Sequence, residues 1–470
     1  MGYKKLMTLL LVIAFYVTAA MDTIYAEDRF ADTKTRQMVI ELSEFIHIPG
    51  PNPLIRTGQP GDWDDENAET GDAFEDLGTY YLYYHSMNKR SDFQYAYQIG
   101  VATAASPLGP FKKYGNKPIL PVGTKESWDE SATACAMVLK EADKKYCMWY
   151  WGNEAVGLAT AEHPVGPWKK HEGNPVIDDF GYIGGVVKAE GKYYLYGANP
   201  VSAPGYQGDY GPLAVAISDK PEGPFVKYSG NPLMEKGNPG DWDDGGISEA
   251  EVLYHNGMFH MFYGGTRIHG PRLESIGYAY SFDGFKWTRY GKNPVANRQS
   301  NPNVAAFAEV HAIIEMPYIY LYHTMRPETD PDRNPMDVEH LGVQVLATQR
   351  PFSIDMPALY IENLDAGAAT NLDDAPPICL SNIDYLSLTA ECEYSNNAAK
   401  PIRVHVRASY DGLQYDTSDL YTLDNVLQPG QPARKTFQLN SKMRFIKVMV
   451  ENLDKSNSVS DVKIIATLGG

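Results

Sequence analysis

The chain has 470 residues, 43% of them apolar, enough for two or three domains with substantial cores. Its formal net charge of −18 excludes non-specific binding to nucleic acid or to anionic membrane surfaces. Tyrosine outnumbers phenylalanine 33 to 16, which suits half-buried strands.

The first 26 residues have the plan of an export signal: Lys4 and Lys5, a short apolar core over Leu6–Ala20, and a cut expected after Ala26, with Ala20 as the other candidate. That core is too short for a permanent anchor, and no later segment is apolar enough to span a bilayer. The mature chain is therefore expected to be secreted or periplasmic, with no membrane contact. Residues 27–50 form a lead-in, weakly helical over TKTRQMVIELSEF and broken by HIPGPNP.

From residue 51 a repeat sets in. Asn-Pro turns recur with Pro53, Pro118, Pro175, Pro232 and Pro294. In phase with them run aromatic strands: YYLYY from Tyr80, YCMWYW from Tyr146, KYYLYG from Lys192, MFHMFYGG from Met258 and YIYLYH from Tyr318. A further apolar strand follows each, and three units close on SPLGPF, HPVGPW and KPEGPF. About four strands per unit and five units predict an all-β fold, a five-bladed β-propeller over residues 51–357. The lead-in would pack on the first repeat or close the ring with an added strand.

After Pro357 the repeat stops. Short alternating runs such as YLSLTAECEY, IRVHVRASYDG and VKIIATL predict a C-terminal β-sandwich over 358–470. It serves carbohydrate binding or packing against the propeller. Four cysteines, Cys135, Cys147, Cys379 and Cys392, allow three pairings, among them Cys135–Cys147 with Cys379–Cys392. Their spacing does not suit zinc.

In a propeller the first strand of each blade lines the central channel, so early first-strand residues meet across the axis. The candidates are Glu69 and Asp72, Asp129 and Glu130, Asp178 and Asp179, Glu249 and Glu251, and Glu309 with His311. Alternation places Glu249 and Glu251 on one face. Crowded carboxylates raise one another's pKa, and glycoside hydrolysis needs one protonated and one ionised carboxyl. The other WDD acids, Asp62, Asp64, Asp65, Asp241, Asp243 and Asp244, are expected to cap turns. A gapless internal repeat matches Trp63 to Trp242 and Asp72 to Glu251, 179 positions apart.

The five-repeat plan, with GDAFEDLGTYYLYYHS, ISEAEVLYHNGMFHMFYGG and AEVHAIIEMPYIYLYH, resembles the five-bladed propeller glycosidases, nearest to glycoside hydrolase family 43 and its relatives. The resemblance covers about residues 50–357. It implies an inverting hydrolase of plant or microbial polysaccharide or oligosaccharide, with arabinofuranosides and xylosides favoured. Asp72 falls at the base and Glu249 at the acid, while the internal repeat keeps Glu251 as the alternative acid. His311 resembles the last-blade channel histidine, near a Ca2+ ion or a water; no organic cofactor is implied. Trp63, Trp128 and Trp242 would form stacking walls. Two departures stand out. Ala73 follows Asp72 where the family has proline, and Tyr182–Val187 contain no acid, which leaves Asp178 or Asp179 for the third-blade role. Two other functions compete: a glycoside phosphorylase of the same fold, with Arg267, Arg272 and His269 holding phosphate, and a non-catalytic carbohydrate-binding propeller.

Overall fold

The computed structural model describes residues 45–88, 96–208, 210–269, 274–297, 300, 306–326 and 339–470. The expected export signal and most of the lead-in lie outside these residues. Strands dominate, and the described helix is a single 3-10 turn at Leu372–Asp374.

Five antiparallel blades, four of four strands and the second of five, take the aromatic strands as their second members. Their inner strands are Glu69–Asp76 in blade I, Ala134–Ala142 in II, Ile183–Ala189 in III, Gly246–His255 in IV and Ala306–Glu315 in V. Each inner strand neighbours the next, and that of blade V neighbours that of blade I, so the blades form a closed ring. Apolar faces meet between blades: Tyr83 and Val101 of blade I pack with Val138 and Met148 of blade II, and Trp149 and Leu158 of II with Ile183 and Leu195 of III. The chain closes the ring with its own beginning. Ile46–Pro49 pairs with His340–Ala347 and completes blade V.

The Asn-Pro turns recur because their asparagine has work to do. Asn174 accepts a hydrogen bond from Leu158 N (2.8 Å) and donates to Leu158 O (3.0 Å), clamping the third strand of the blade just finished. Asn231 does the same to Val215 and Asn293 to Tyr278. Asn52 makes the same clamp across the closure, accepting from Val343 N at 2.6 Å and donating to Val343 O at 3.2 Å. In the GPF and GPW turns, Gly109, Gly166 and Gly223 hold φ of 82°, 93° and 82°, where side chains are disfavoured.

The WDD loops split their acids. Asp62 and Asp65 accept backbone N–H groups of Gln59 and Gly61, and Asp241 and Asp244 those of Asn238 and Gly240, as turn caps. The middle acid is different. Asp64 is buried and accepts from the Tyr84 hydroxyl (2.9 Å) and Lys113 Nζ (2.6 Å). Asp129 takes Tyr150 and Lys170 in the same way, and Asp243 takes Tyr263 and Arg289. The adjoining indoles stack on the same tyrosines, Trp63 on Tyr84 at 5.6 Å and Trp128 on Tyr150 at 5.5 Å, with Trp242 against Tyr263 at 5.5 Å. Each Trp-Asp pair thus fastens the loop before an inner strand to the second and fourth strands of its blade.

The C-terminal region is a sandwich of two four-stranded sheets. One runs in the order 353–364, 459–469, 385–394, 432–439; the other runs 378–379, 445–452, 402–409, 421–424. Its core is continuous with the cluster joining blades V and I, through Phe352, Ile354 and Met356. The four cysteines are buried and unpaired, which corrects the expected pairings.

Candidate active site

Every inner strand carries a β-bulge near its start, between Thr70 and Ala73, Ala134 and Met137, Ile183 and Gly185, Ile247 and Ala250, and Ala308 and Val310. A bulge leaves a residue unpaired and re-aims its side chain. Cys135, Ser248, Glu249 and Glu309 sit at these bulges, and all four line one pocket of about 350 Å³ at the channel mouth. Cys135 and Glu309 adopt positive φ, 49° and 32°. Non-glycine residues are rarely held there except where surrounding structure imposes it.

Glu69 joins from blade I. It accepts from Asn67 Nδ2, from Tyr97 Oη at 2.9 Å and from His85 Nε2 at 3.0 Å. Burial holds His85 well below its ordinary value, at about 4, so its imidazole is neutral at neutral pH. Glu274 accepts from the Tyr210 hydroxyl, and both line the pocket. Burial pushes the Cys135 thiol well up, and the charges of Glu249, Glu309 and Glu69 push it further, so one thiol feels acids from blades I, IV and V. Trp151 and Tyr182, 4.7 Å apart, form an aromatic wall on the blade II–III side. The pocket thus combines several carboxyls with flat apolar faces, the chemistry that binds and cleaves a sugar.

A second tier lies farther along the same strands. Glu251 and His311, two residues beyond Glu249 and Glu309, share a hydrogen bond of 2.7 Å between Oε2 and Nδ1. Asp72 joins them, with one donor atom from each of the three residues lying within 4.8 Å of the others. Glu251 and His311 are 3% and 1% exposed, Asp72 9%, and none of them lines the pocket. Burial raises Asp72 to about 7, against the pull of the Val138 N–H at 2.6 Å. Burial and then the Asp72 charge push Glu251 well above the carboxylate range, and burial lowers His311 to about 3. Calcium seeks six to eight oxygen ligands. Two carboxylates and an imidazole do not match that set, so the expected Ca2+ does not fit these residues.

No family model matches the chain, and no curated protein matches it in sequence. Solved structures do. A glycoside hydrolase is similar over 66% of this chain and 94% of its own, at 13% identity and a TM-score of 0.50. A thermostable family-43 glycoside hydrolase covers 63% of this chain and 91% of its own, at 18% identity and a TM-score of 0.46. The α-L-arabinofuranosidase from Podospora anserina, solved with cellotriose, covers 65% and 96%, at 13% identity and a TM-score of 0.46. The chain has the fold of propeller glycoside hydrolases.

Within that fold the predicted residues separate. Glu249 and Glu309 reach the pocket. Asp72 and Glu251 meet each other instead, too close to hold a water as an inverting pair must, at about 6.5–9.5 Å. Asp179 does not join the acids. Its side chain is 89% exposed and pairs with Lys227 at 2.8 Å. No acid fits at Gly184 or Gly185 of the third inner strand, because a Cβ there would stand 2.3 Å from Ala250 N or 2.5 Å from Val252 N. Trp63, Trp128 and Trp242 pack inside blades, and the wall falls to Trp151 and Tyr182, which the sequence reading passed over as strand aromatics. Arg267 and His269 are exposed and do not line the pocket; Arg272 lies outside the described residues. His85, Tyr210 and Glu274 were also missed, since nothing in their local sequence marks them.

Proposed function

We propose that the chain is an exported glycoside hydrolase that removes sugar residues from a plant or microbial polysaccharide or oligosaccharide, inverting the anomeric centre. The supporting observation is the convergence of Glu69, Glu249, Glu274 and Glu309 on one walled pocket. Glu249, on blade IV, protonates the leaving oxygen. Glu69, on blade I with blade V between them, accepts three hydrogen bonds and takes a proton from the attacking water. Trp151 and Tyr182 stack on the sugar ring. The resemblance favours pentose glycosides, arabinofuranosides and xylosides. A pocket of this volume suits attack at a chain end.

The test is product release from nitrophenyl arabinofuranoside and xyloside, arabinan and xylan, with and without phosphate. Glu249→Gln and Glu69→Gln should each lower kcat at least about 100-fold, and Asp179→Asn should leave it unchanged. Turnover that requires phosphate would replace hydrolysis by phosphorolysis. Binding without turnover on any of these glycosides, or full activity in Glu249→Gln, would defeat the proposal.

A further inference from the structure

Three buried acids in the propeller blades stand beside a cation. Asp64 has Lys113, Asp129 has Lys170, and Asp243 has Arg289. Asp72 and Glu251 are as deeply placed, yet among the described residues no lysine or arginine reaches either. Glu251 has the imidazole of His311, and Asp72 has the backbone N–H groups of Val138 and Ala73. Two acids confined together in a dry interior must either hold a proton or take up a positive charge. The cluster is also built for a point ligand, with one donor atom from each of three blades gathered within 4.8 Å.

The kind of ion follows from the donors. A mixed set of two carboxylate oxygens and one imidazole nitrogen suits a small borderline cation, with imidazole selecting against calcium and magnesium. Tetrahedral zinc, at about 2.0–2.2 Å from its ligands, sets donor atoms roughly 3.4 Å apart, and a water completes the fourth position. The present spacings, 2.7 Å for Glu251 to His311 and at most 4.8 Å overall, bracket that value. We infer that Asp72, Glu251 and His311 form a binding site for one divalent ion of the zinc class. The ion ties the inner strands of blades I, IV and V together where the ring closes.

The experiment uses the full chain, stripped with a chelator, loaded separately with Zn2+ or Ca2+, and desalted. Metal content is read by mass spectrometry and melting by calorimetry, so the outcome is independent of any glycosidase assay. The expected result is about one zinc retained per chain, calcium at background, and a melting temperature that falls by several degrees on chelation and recovers with zinc. Glu251→Gln and His311→Gln should lose the ion, while Asp179→Asn keeps it. A wild-type chain that retains no zinc, that prefers calcium, or that melts identically with and without zinc overturns the site. So does zinc retained at full level by His311→Gln. Should the variants fail to fold, the metal content of the wild-type chain decides alone.

Discussion

Ring closure can be weighed with Asn52→Ala. The side chain satisfies both backbone groups of Val343, which is fully buried, and Asn52 itself is only 5% exposed. Removing it strands an N–H and a C=O that water cannot reach. Each such group costs about 1–3 kcal/mol, so the variant should lose roughly 2–4 kcal/mol after partial relaxation. Asn231→Ala removes the same two bonds from Val215, which is as buried as Val343, but Asn231 itself is partly exposed, so water entering the space it leaves replaces them and about 1 kcal/mol is lost. Urea unfolding followed by tryptophan fluorescence, compared at a common m value, measures both. The closure clamp is refuted as the costlier one if Asn52→Ala falls within about 0.5 kcal/mol of Asn231→Ala.

Three further outcomes follow from the geometry. Trp151→Ala should raise KM for a cleaved glycoside about tenfold or more with little change in melting, because its ring faces the pocket, whereas Trp242→Ala should cost about 3–5 kcal/mol of stability and leave KM alone; kinetics and calorimetry on both variants check this. Gly185→Asp, which would supply the third-blade acid, drives a Cβ against Val252 N and should destabilise by more than about 3 kcal/mol, read as lost soluble yield and a lowered melting point. In the sandwich, N–H groups of Ala399 and Ser456 hold Asp454 down to about 2. A folded pKa below the unfolded value of about 3.9 means its contribution is complete above that value and is lost as pH falls toward 2. Melting curves from pH 5 to pH 2 should therefore fall less steeply for Asp454→Asn than for the wild-type chain.

Blade number and order were legible because each repeat carries the same aromatic strand and four of the five turns carry a clamping asparagine whose job recurs. The buried role of Asp64 and Asp243 was not, since three neighbouring acids look alike in one dimension. A signal existed: FKKY, WKKH and WTRY place a basic residue at the same point of three repeats, and it is Lys113, Lys170 or Arg289 that reaches the middle acid. Of the acids expected at the channel, Asp72 and Glu251 cluster with His311 and do not line the pocket. Glu69 and Asp72, three apart, should face opposite ways on a regular strand, and the bulge between Thr70 and Ala73 removes that constraint. Glu249 and Glu309 were found by their place in the repeat. Glu274 and Tyr210 belong to segments between strands, where no periodicity points inward.

The strand Ile46–Pro49 is made early and used late. Until residues 340–347 exist, it has no sheet to join, and the emerging chain is a horseshoe of blades with two raw flanks. Vectorial synthesis therefore cannot seal the channel stepwise; sealing is one late event spanning nearly the whole propeller. A chain interrupted anywhere short of blade V presents unpaired strand edges to its neighbours, the kind of surface that chaperones guard and that aggregates seed upon.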